Sequence, residues 1–304
     1  MIYLPIAEMP VNVLLVLLVS GGVGFVSGLV GVGGGFIMTP SLIFLGIPPP
    51  VAVATGASQI AATSFSGIMT QTRRKSVDWR MGMLLSIGGV MGSVFGVSLF
   101  EQLLALGQFD LIVSLLYVVF LAVIGGLMMA EGVAIMRGKP LPSVPLLKRP
   151  VRGISHTLPF RMRFPRSGLY ISVIPPLVLG FGIGALAALM GVGGGFVLIP
   201  AMIYLLRMPT NVVVGTSLFQ VLIVTALIVI LQSAATQTVD LVLAALLMLG
   251  GVIGAQFGAR VGVGLKGEQI RALLGAILLI SSLKFLFDLV IMPDEQYVLG
   301  GGQW

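Results

Sequence analysis

A six-residue glycine motif occurs twice in the chain. Residues 31–36 read Gly-Val-Gly-Gly-Gly-Phe, residues 191–196 repeat all six 160 positions later, and Pro40 and Pro200 keep the same spacing. A glycine run at the end of an apolar stretch destabilises a regular helix, but it exposes backbone N–H groups and permits close approach. A phosphate-binding loop would end in Gly-Lys-Ser/Thr and follow a strand, and neither feature is present. We therefore predict a pair of broken membrane hairpins, like the discontinuous helices that build substrate sites in repeat transporters.

The apolar stretches around both motifs predict a membrane protein. The sequence is 57% hydrophobic and 9% charged, whereas soluble domains carry about 25% charged residues. The apolar runs are longer than the roughly ten-residue strands of membrane barrels, so they predict α-helices. We expect the lipid bilayer as a partner and no nucleic acid, because the positions of the basic residues explain the net charge of +7 by topology.

The composition argues against an enzyme. The chain has no cysteine, which excludes disulfides, thiolate catalysis and cysteine metal sites. Its single histidine, His156, lies in a predicted loop, and the predicted segments lack the paired acids or histidine cluster that intramembrane catalysis needs. We therefore expect no enzymatic activity, no metal site and no cofactor. A receptor or structural protein would not need two matched broken hairpins.

Ten membrane segments are predicted, five in each half. The second segment of each half is short, because about eleven residues reach only roughly 16 Å, half of the hydrocarbon thickness. The N-terminus has no basic signal-peptide region, so residues 1–10 are expected to lead straight into the first segment. Residues 1–130 and 169–304 are predicted to form two membrane repeats, joined by a basic, proline-rich cytoplasmic loop at 131–168. The predicted segments are Val11–Val30, Phe36–Leu45, Val51–Thr70, Met81–Phe100, Phe109–Ala130, Leu169–Met190, Phe196–Leu206, Asn211–Leu231, Asp240–Gly262 and Ile270–Met292.

The two halves align beyond the glycine motifs. Two polar residues match at an offset of 161 positions and an aspartate at 162, giving the pairs Thr55/Thr216, Gln59/Gln220 and Asp78/Asp240. In the segment that follows each aspartate, glycines recur every four residues, which favours close helix packing over binding. These glycines are Gly88, Gly92 and Gly96 in the first half and Gly250, Gly254 and Gly258 in the second.

Basic residues predict the topology. With residues 131–168 in the cytoplasm, ten segments place 16 of the 17 lysines and arginines on that side or near its segment ends, and the exception is Lys284, inside the last segment. Each half has an odd number of crossings, whether or not the short segments cross completely. The predicted fold class is therefore an all-α polytopic membrane protein with two inverted repeats, both termini periplasmic, and glycine loops that enter from opposite sides.

Candidate substrate-binding groups lie in and after the glycine loops. N–H groups at the positive end of a helix dipole favour an anion, and close helix packing is the alternative role for these glycines. Thr55 and Gln59 share one helix face. Neutral hydroxyl and amide donors can bind an oxyanion and still release it. The alternative role for these side chains is hydrogen bonding between helices. The predicted binding residues are Gly33, Gly34, Gly35, Thr55, Ser58, Gln59, Gly193, Gly194, Gly195, Thr216, Ser217 and Gln220.

Lys284 and Asp288 lie one helical turn apart in the last predicted segment. A within-helix ion pair explains them, and a gating or ion-coupling role is the alternative, because charges at membrane depth are costly. Apart from Asp288, no carboxylate is predicted deep inside a segment, so the sequence favours transport driven by the membrane potential.

The twin glycine motifs, the Ala54-Thr55 and Gly215-Thr216-Ser217 starts of the following helices, and the basic central loop resemble the TauE/SafE-like sulfite exporters, also called the toluene-sulfonate uptake permease family. The resemblance covers nearly the whole chain, in two copies. It implies a bacterial-type inner-membrane permease for sulfite, sulfoacetate or related organosulfonates. We therefore predict export of a small sulfur-containing anion by alternating access. An anion channel and a proton-coupled permease for another small organic anion are the alternatives.

Overall fold

A computed structural model describes residues 2–30, 33–136, 161–261 and 267–290. Within these ranges the chain forms ten helices and two β-hairpins, and the two halves have the same order of elements. The first half contains β1 (Ile2–Leu4), β2 (Met9–Val11), α1 (Val13–Val30), α2 (Gly35–Phe44), α3 (Pro49–Arg73), α4 (Trp79–Ala105) and α5 (Phe109–Met136). The second half contains β3 (Arg161–Phe164), β4 (Leu169–Ser172), α6 (Ile174–Met190), α7 (Gly195–Tyr204), α8 (Thr210–Ala235), α9 (Leu241–Val261) and α10 (Gly267–Val290).

The predicted all-α polytopic membrane fold is confirmed. Four helices are long and apolar enough to cross a membrane, namely α4, most of α5, most of α8 and α9. The ten predicted segments correspond to the ten described helices. Helix α3 is far less apolar than its neighbours, and residues 51–60 are all buried inside the protein. The polar side chains of this stretch, Thr55, Ser58 and Gln59, are therefore shielded from lipid by the other helices, as the composition of the segment predicted.

Each half begins with an antiparallel β-hairpin that the sequence analysis missed. The expectation that residues 1–10 lead straight into the first helix is wrong, and the segment predicted from Leu169 begins as a strand, with its helix starting only at Ile174. The strands have three or four residues each, too few for an alternating pattern to be recognised. Contacts with distant parts of the chain hold both hairpins in place.

Both ends of the predicted central loop, residues 131–168, carry regular secondary structure. Helix α5 continues to Met136, and β3 begins at Arg161. His156 lies outside the described residues.

Two helix pairs pack backbone to backbone, and each pair joins the two halves. A Cβ atom on Gly88, Gly92 or Gly96 of α4 would overlap backbone carbonyl oxygens of α6. The glycines of α9 have the same relation to α1, since a Cβ atom on Gly254 or Gly258 would overlap carbonyl oxygens of that helix. The packing role predicted for both glycine series is therefore confirmed, because only glycine permits such close approach in a membrane bundle.

Helices α3 and α8 run antiparallel through the centre of the protein. The Thr55 hydroxyl, near the start of α3, accepts a hydrogen bond of 3.1 Å from the backbone N–H of Asp240, which follows α8. Reciprocally, the Thr216 hydroxyl near the start of α8 accepts one of 3.0 Å from the N–H of Asp78, which follows α3. The equivalent helices α3 and α8 thus run in opposite directions.

The same two aspartates secure the hairpins at opposite ends of this central pair. The Asp78 carboxylate accepts hydrogen bonds from the Ser167 N–H and hydroxyl in the β3–β4 turn, at 3.1 and 2.7 Å. The Asp240 carboxylate accepts one of 3.1 Å from the Ile6 N–H in the β1–β2 turn. Arg166 also donates to the Lys75 and Val77 carbonyls. Basic residues from two separate predicted cytoplasmic loops therefore lie at the same end of the protein.

Candidate functional site

The two glycine loops have the same backbone conformation at their third and fourth residues. Gly33 and Gly34 have φ angles of 92° and 77°, and Gly193 and Gly194 have 70° and 72°. These left-handed conformations are costly for any residue with a side chain. Gly34 and Gly194 are the N-caps of the ten-residue helices α2 and α7. Each loop thus ends one apolar helix and starts a short one, as the broken-hairpin prediction requires.

The loops come together inside the protein, although they are 160 residues apart. A Cβ atom on Gly35 would lie 2.5 Å from the Val192 carbonyl oxygen of the other loop. The Phe36 and Phe196 rings that follow the loops pack with their centroids 5.6 Å apart. The predicted glycines in both loops are buried. The structure therefore unites Gly33, Gly34, Gly35, Gly193, Gly194 and Gly195 at one enclosed place.

This place lies against the middle of the α3–α8 pair. Ile60 of α3 contacts both loops, since its Cγ2 atom lies 3.4 Å from a Cβ position on Gly33 and 2.6 Å from one on Gly193. Val221 of α8 lies 3.6 Å from the same position on Gly33. Ile60 and Val221 are equivalent at the offset of 161. The two loops therefore meet where the equivalent central helices cross.

The short helices direct unpaired N–H groups at this region. Among the described residues, no protein acceptor binds the N–H groups of Gly35 and Phe36 or those of Gly195 and Phe196. Such first-turn donors, together with the positive end of the helix dipole, attract anions. The starts of α2 and α7 approach one another, so the N–H donors and positive dipole ends of both helices act at a single site.

Gln59 and Gln220 lie one turn or less from the crossing, each against a glycine of another helix. Gln59 packs on Gly251 of α9, and its Nε2 donates to the Ser20 carbonyl at 3.3 Å, while its Oε1 has no partner in the described structure. Gln220 packs on Gly89 of α4, and neither atom of its amide has a partner there. A buried polar atom without a hydrogen bond costs about 1–3 kcal/mol. These amides therefore have unused binding capacity.

The structure does not bring Thr55 and Thr216 to the glycine loops. Both hydroxyls are fully buried and bind backbone groups at opposite ends of the antiparallel α3–α8 pair. Ser64 of α3 lies beside Gly33 of the first loop. Thr55 is nine residues before Ser64, or about 13 Å away along the helix axis. Their observed bonds are structural, so any contact with a substrate would require a different conformation.

The two predicted serines differ in their hydrogen bonds. The Ser217 hydroxyl donates to the Val214 carbonyl at 2.9 Å in its own helix. The Ser58 hydroxyl is buried and has no partner in the described part of the chain. Ser58 therefore keeps a free donor, whereas that of Ser217 is used.

Lys284 contacts an aromatic ring. Its Nζ atom lies 3.7 Å from the centroid of Phe44, the last residue of α2. A cation over a ring face is stabilised by the ring quadrupole. The side chain of Asp288 lies outside the described residues, so the ion-pair and gating alternatives stay predictions.

Sequence reasoning missed four residues next to the loops. Ser64 and Thr225 lie beside Gly33 and Gly193 respectively, and the same offset of 161 that relates Gln59 to Gln220 relates this pair. Thr39 donates to the Gly191 carbonyl at 3.1 Å, and the buried Tyr117 donates to the Met190 carbonyl. Tyr117 and Thr39 hold the end of α6 where it opens into the second loop. Only the pair Ser64/Thr225 had a signal in the sequence.

An apolar cavity borders the second loop on its other side. It is lined by Phe120, Ile183, Leu186, Ala187, Met190, Val192, Gly194, Phe196 and Val197. Its lining side chains carry no polar group, so we do not assign an anion to it.

A sequence profile described as sulfite exporter TauE/SafE matches residues 16–285. The chain belongs to the sulfite exporter TauE/SafE family. A probable membrane transporter protein of Xylella fastidiosa (strain 9a5c) is 30% identical over 82% of this chain and 85% of its own length. The probable membrane transporter proteins YunE and YjnA of Bacillus subtilis are 26% and 27% identical, each over 87% of this chain and over 94% and 96% of their own lengths. No solved structure matches the chain significantly.

The profile match spans both glycine loops, both central helices and Lys284, whereas the β1–β2 hairpin precedes it. Together with the apolar helices, the match identifies this TauE/SafE protein as a multi-pass membrane transporter.

Proposed function

We propose that this TauE/SafE transporter exports a small sulfur-containing anion, such as sulfite, sulfoacetate or another organosulfonate, across the bacterial inner membrane. The observation that carries the proposal is the meeting of the two glycine loops at the crossing of α3 and α8. The family description supplies the sulfur chemistry, and the unpaired helix-start N–H groups supply the preference for an anion.

Neutral donors suit a carrier. A lysine or arginine in the site would bind an anion strongly and slow its release. The groups around the loops are backbone N–H groups, the amides of Gln59 and Gln220, and serine hydroxyls. Binding by such groups is weak enough per contact for the substrate to leave on the far side.

Alternating access is proposed to arise from two inverted repeats. The antiparallel α3–α8 pair supports this arrangement, because equivalent helices of parallel repeats would run in the same direction. All the predicted glycines of the site are buried, which fits a state closed to both sides. Movement of one repeat relative to the other would then expose the loops to one side at a time.

The membrane potential is proposed to drive export. A negative interior favours the outward movement of an anion by about 2.3 kcal/mol per charge per 100 mV. We place both termini in the periplasm and residues 131–168 in the cytoplasm. The shared location of Arg166 and Lys75 at one end of the protein supports this sorting.

The test is flux of sulfite and ethanesulfonate from proteoliposomes with an imposed potassium-diffusion potential. We expect saturable efflux that accelerates when the receiving side is positive. Gly193→Ala should abolish it, because the new Cβ atom would lie 2.6 Å from Ile60 and its backbone has a positive φ. Gly182→Ala is the matched control, since a Cβ atom there has nothing within 4 Å.

Three results would contradict the proposal. A rate that a proton gradient controls and the potential does not would exclude uniport. Single-channel currents would favour a channel. Absence of flux for every sulfur anion would reject this substrate class.

A further inference from the structure

We propose that the Ser64 hydroxyl binds the anionic group of the substrate at the first glycine loop, and that the equivalent Thr225 presents only an apolar surface at the second. This inference rests on the proposed function. Of these two equivalent hydroxyls only that of Ser64 is free to bind a ligand, so we assign an organosulfonate as the substrate, with its sulfonate group toward Ser64.

Ser64 is fully buried, and its Oγ atom has no hydrogen-bond partner in the described structure. Hydroxyls in buried helices usually donate to the carbonyl three or four residues earlier. Neighbouring Thr63 does so, bonding the Gln59 carbonyl at 3.0 Å. Ser64, like Ser58 in the same helix, departs from this pattern, and an unpaired buried hydroxyl is a free donor for a ligand.

The Ser64 hydroxyl is directed at the first glycine loop. Its Oγ atom is the nearest group to a Cβ position on Gly33, at 3.3 Å. The N-cap of α2, Gly34, is the next residue, so the hydroxyl and the positive start of that helix lie at the same place. A side-chain donor and a helix start together form a coherent oxyanion site, which neither would form alone.

Thr225 differs, although it occupies the equivalent position. Its hydroxyl donates to the Val221 carbonyl at 2.7 Å in its own helix. Its methyl Cγ2 atom faces the second loop, 3.3 Å from a Cβ position on Gly193. The Ile60 side chain lies at the same position. At Gly33 of the first loop the Ser64 hydroxyl lies beside the Ile60 and Val221 side chains, whereas all three nearest groups at Gly193 of the second loop are hydrocarbon.

The asymmetry orients the substrate. A sulfonate oxygen would accept from Ser64 and from the start of α2, and a short alkyl group would contact Ile60 and the Thr225 methyl group. Sulfate has four oxygens that share its negative charge, so one of them would lie against this apolar surface. We therefore expect ethanesulfonate to bind at least tenfold more tightly than sulfate.

The experiment measures the Kd of ethanesulfonate and sulfate by isothermal titration calorimetry on the purified full chain. We expect Ser64→Ala to raise the Kd of ethanesulfonate at least tenfold, and Thr225→Val, which keeps the shape and removes a hydroxyl already bonded within its helix, to change it less than twofold. Ser86→Ala is the matched control. Ser86 on α4 also carries a buried Oγ without a partner in the described structure, and its loss should leave the Kd unchanged.

Thermal melting without ligand provides the second measurement. Because Ser64→Ala removes an unpaired buried hydroxyl, its melting temperature should equal or exceed that of the wild type. Weaker binding at undiminished stability separates a ligand role from a structural one.

Wild-type binding of ethanesulfonate with an unchanged Kd in Ser64→Ala would overturn this inference and leave the proposed function standing. Tighter binding of sulfate than of ethanesulfonate would overturn the assigned orientation. Failure of the wild type to bind any sulfur oxyanion would reject the proposed function itself.

Discussion

Substitution of Gly96 by alanine tests the close contact between α4 and α6. A Cβ atom on Gly96 would lie 2.6 Å from the Ala185 carbonyl oxygen and 2.8 Å from the Ala188 Cβ atom. Carbon–oxygen contacts between packed helices are normally about 3.3 Å or longer. The two helices must therefore separate by about 0.7 Å, and the neighbouring glycine contacts must widen with them.

The expected destabilisation follows from this geometry. Overpacking costs about 1–3 kcal/mol, and neither the Ala185 backbone nor the Ala188 Cβ atom can rotate away as a long side chain could. Alanine recovers up to about 1 kcal/mol through its higher helix propensity. We therefore expect Gly96→Ala to lower the free energy of unfolding by about 1–2 kcal/mol.

The assay is reversible unfolding of the purified protein by titration of a denaturing detergent into mild micelles, followed by circular dichroism. Gly182→Ala on α6 is the control, because a Cβ atom there points into open space. It should leave stability unchanged or raise it by up to about 1 kcal/mol. Equal stability of Gly96→Ala and Gly182→Ala would refute the backbone-to-backbone packing of this helix pair.

Two further predictions concern topology and the glutamines. Cysteines introduced by Pro5→Cys and Ser155→Cys should label from opposite sides of the membrane, and labelling of both from outside would reject the inverted arrangement. Gln220→Leu should abolish transport yet stabilise the ligand-free protein by about 1 kcal/mol or more, because it removes two unpaired amide atoms. Gln59→Leu should abolish transport with a smaller gain in thermal stability, since it also removes the hydrogen bond to Ser20. Normal substrate affinity in the double variant, Gln59→Leu with Gln220→Leu, would show that both glutamines only pack.

Much of the fold was predictable because the sequence is internally repeated. Apolar run lengths located the helices, and the repeated Gly-Val-Gly-Gly-Gly-Phe motif located the two breaks. Glycines spaced by four on α4 and α9 predicted packing faces, and the structure confirms them. These signals are local, because helix period and backbone freedom depend on neighbouring residues.

The candidate site was predictable only in part. The loop glycines were singled out because their backbone must leave the helical conformation. The unpaired Gln59 Oε1 atom and the unpaired Gln220 amide agree with a binding role. Thr55 and Thr216 matched each other equally well in sequence, yet their hydroxyls bond Asp240 and Asp78 instead of approaching the loops. Symmetry in the sequence marks equivalent positions, and it does not say whether a polar group faces a ligand or another helix.

The sequence by itself determined the family, the membrane setting, the helical segments and the two glycine breaks, since composition and local backbone energetics suffice for these. Only the tertiary structure decided that the loops touch, that hairpins replace the expected start of each half, and that Ser64 and Thr225 differ in the group they present. Each of these depends on which groups from distant parts of the chain are buried together. That packing decides whether a serine or threonine hydroxyl donates to a carbonyl of its own helix or stays available to another partner. The residue type alone permits either arrangement.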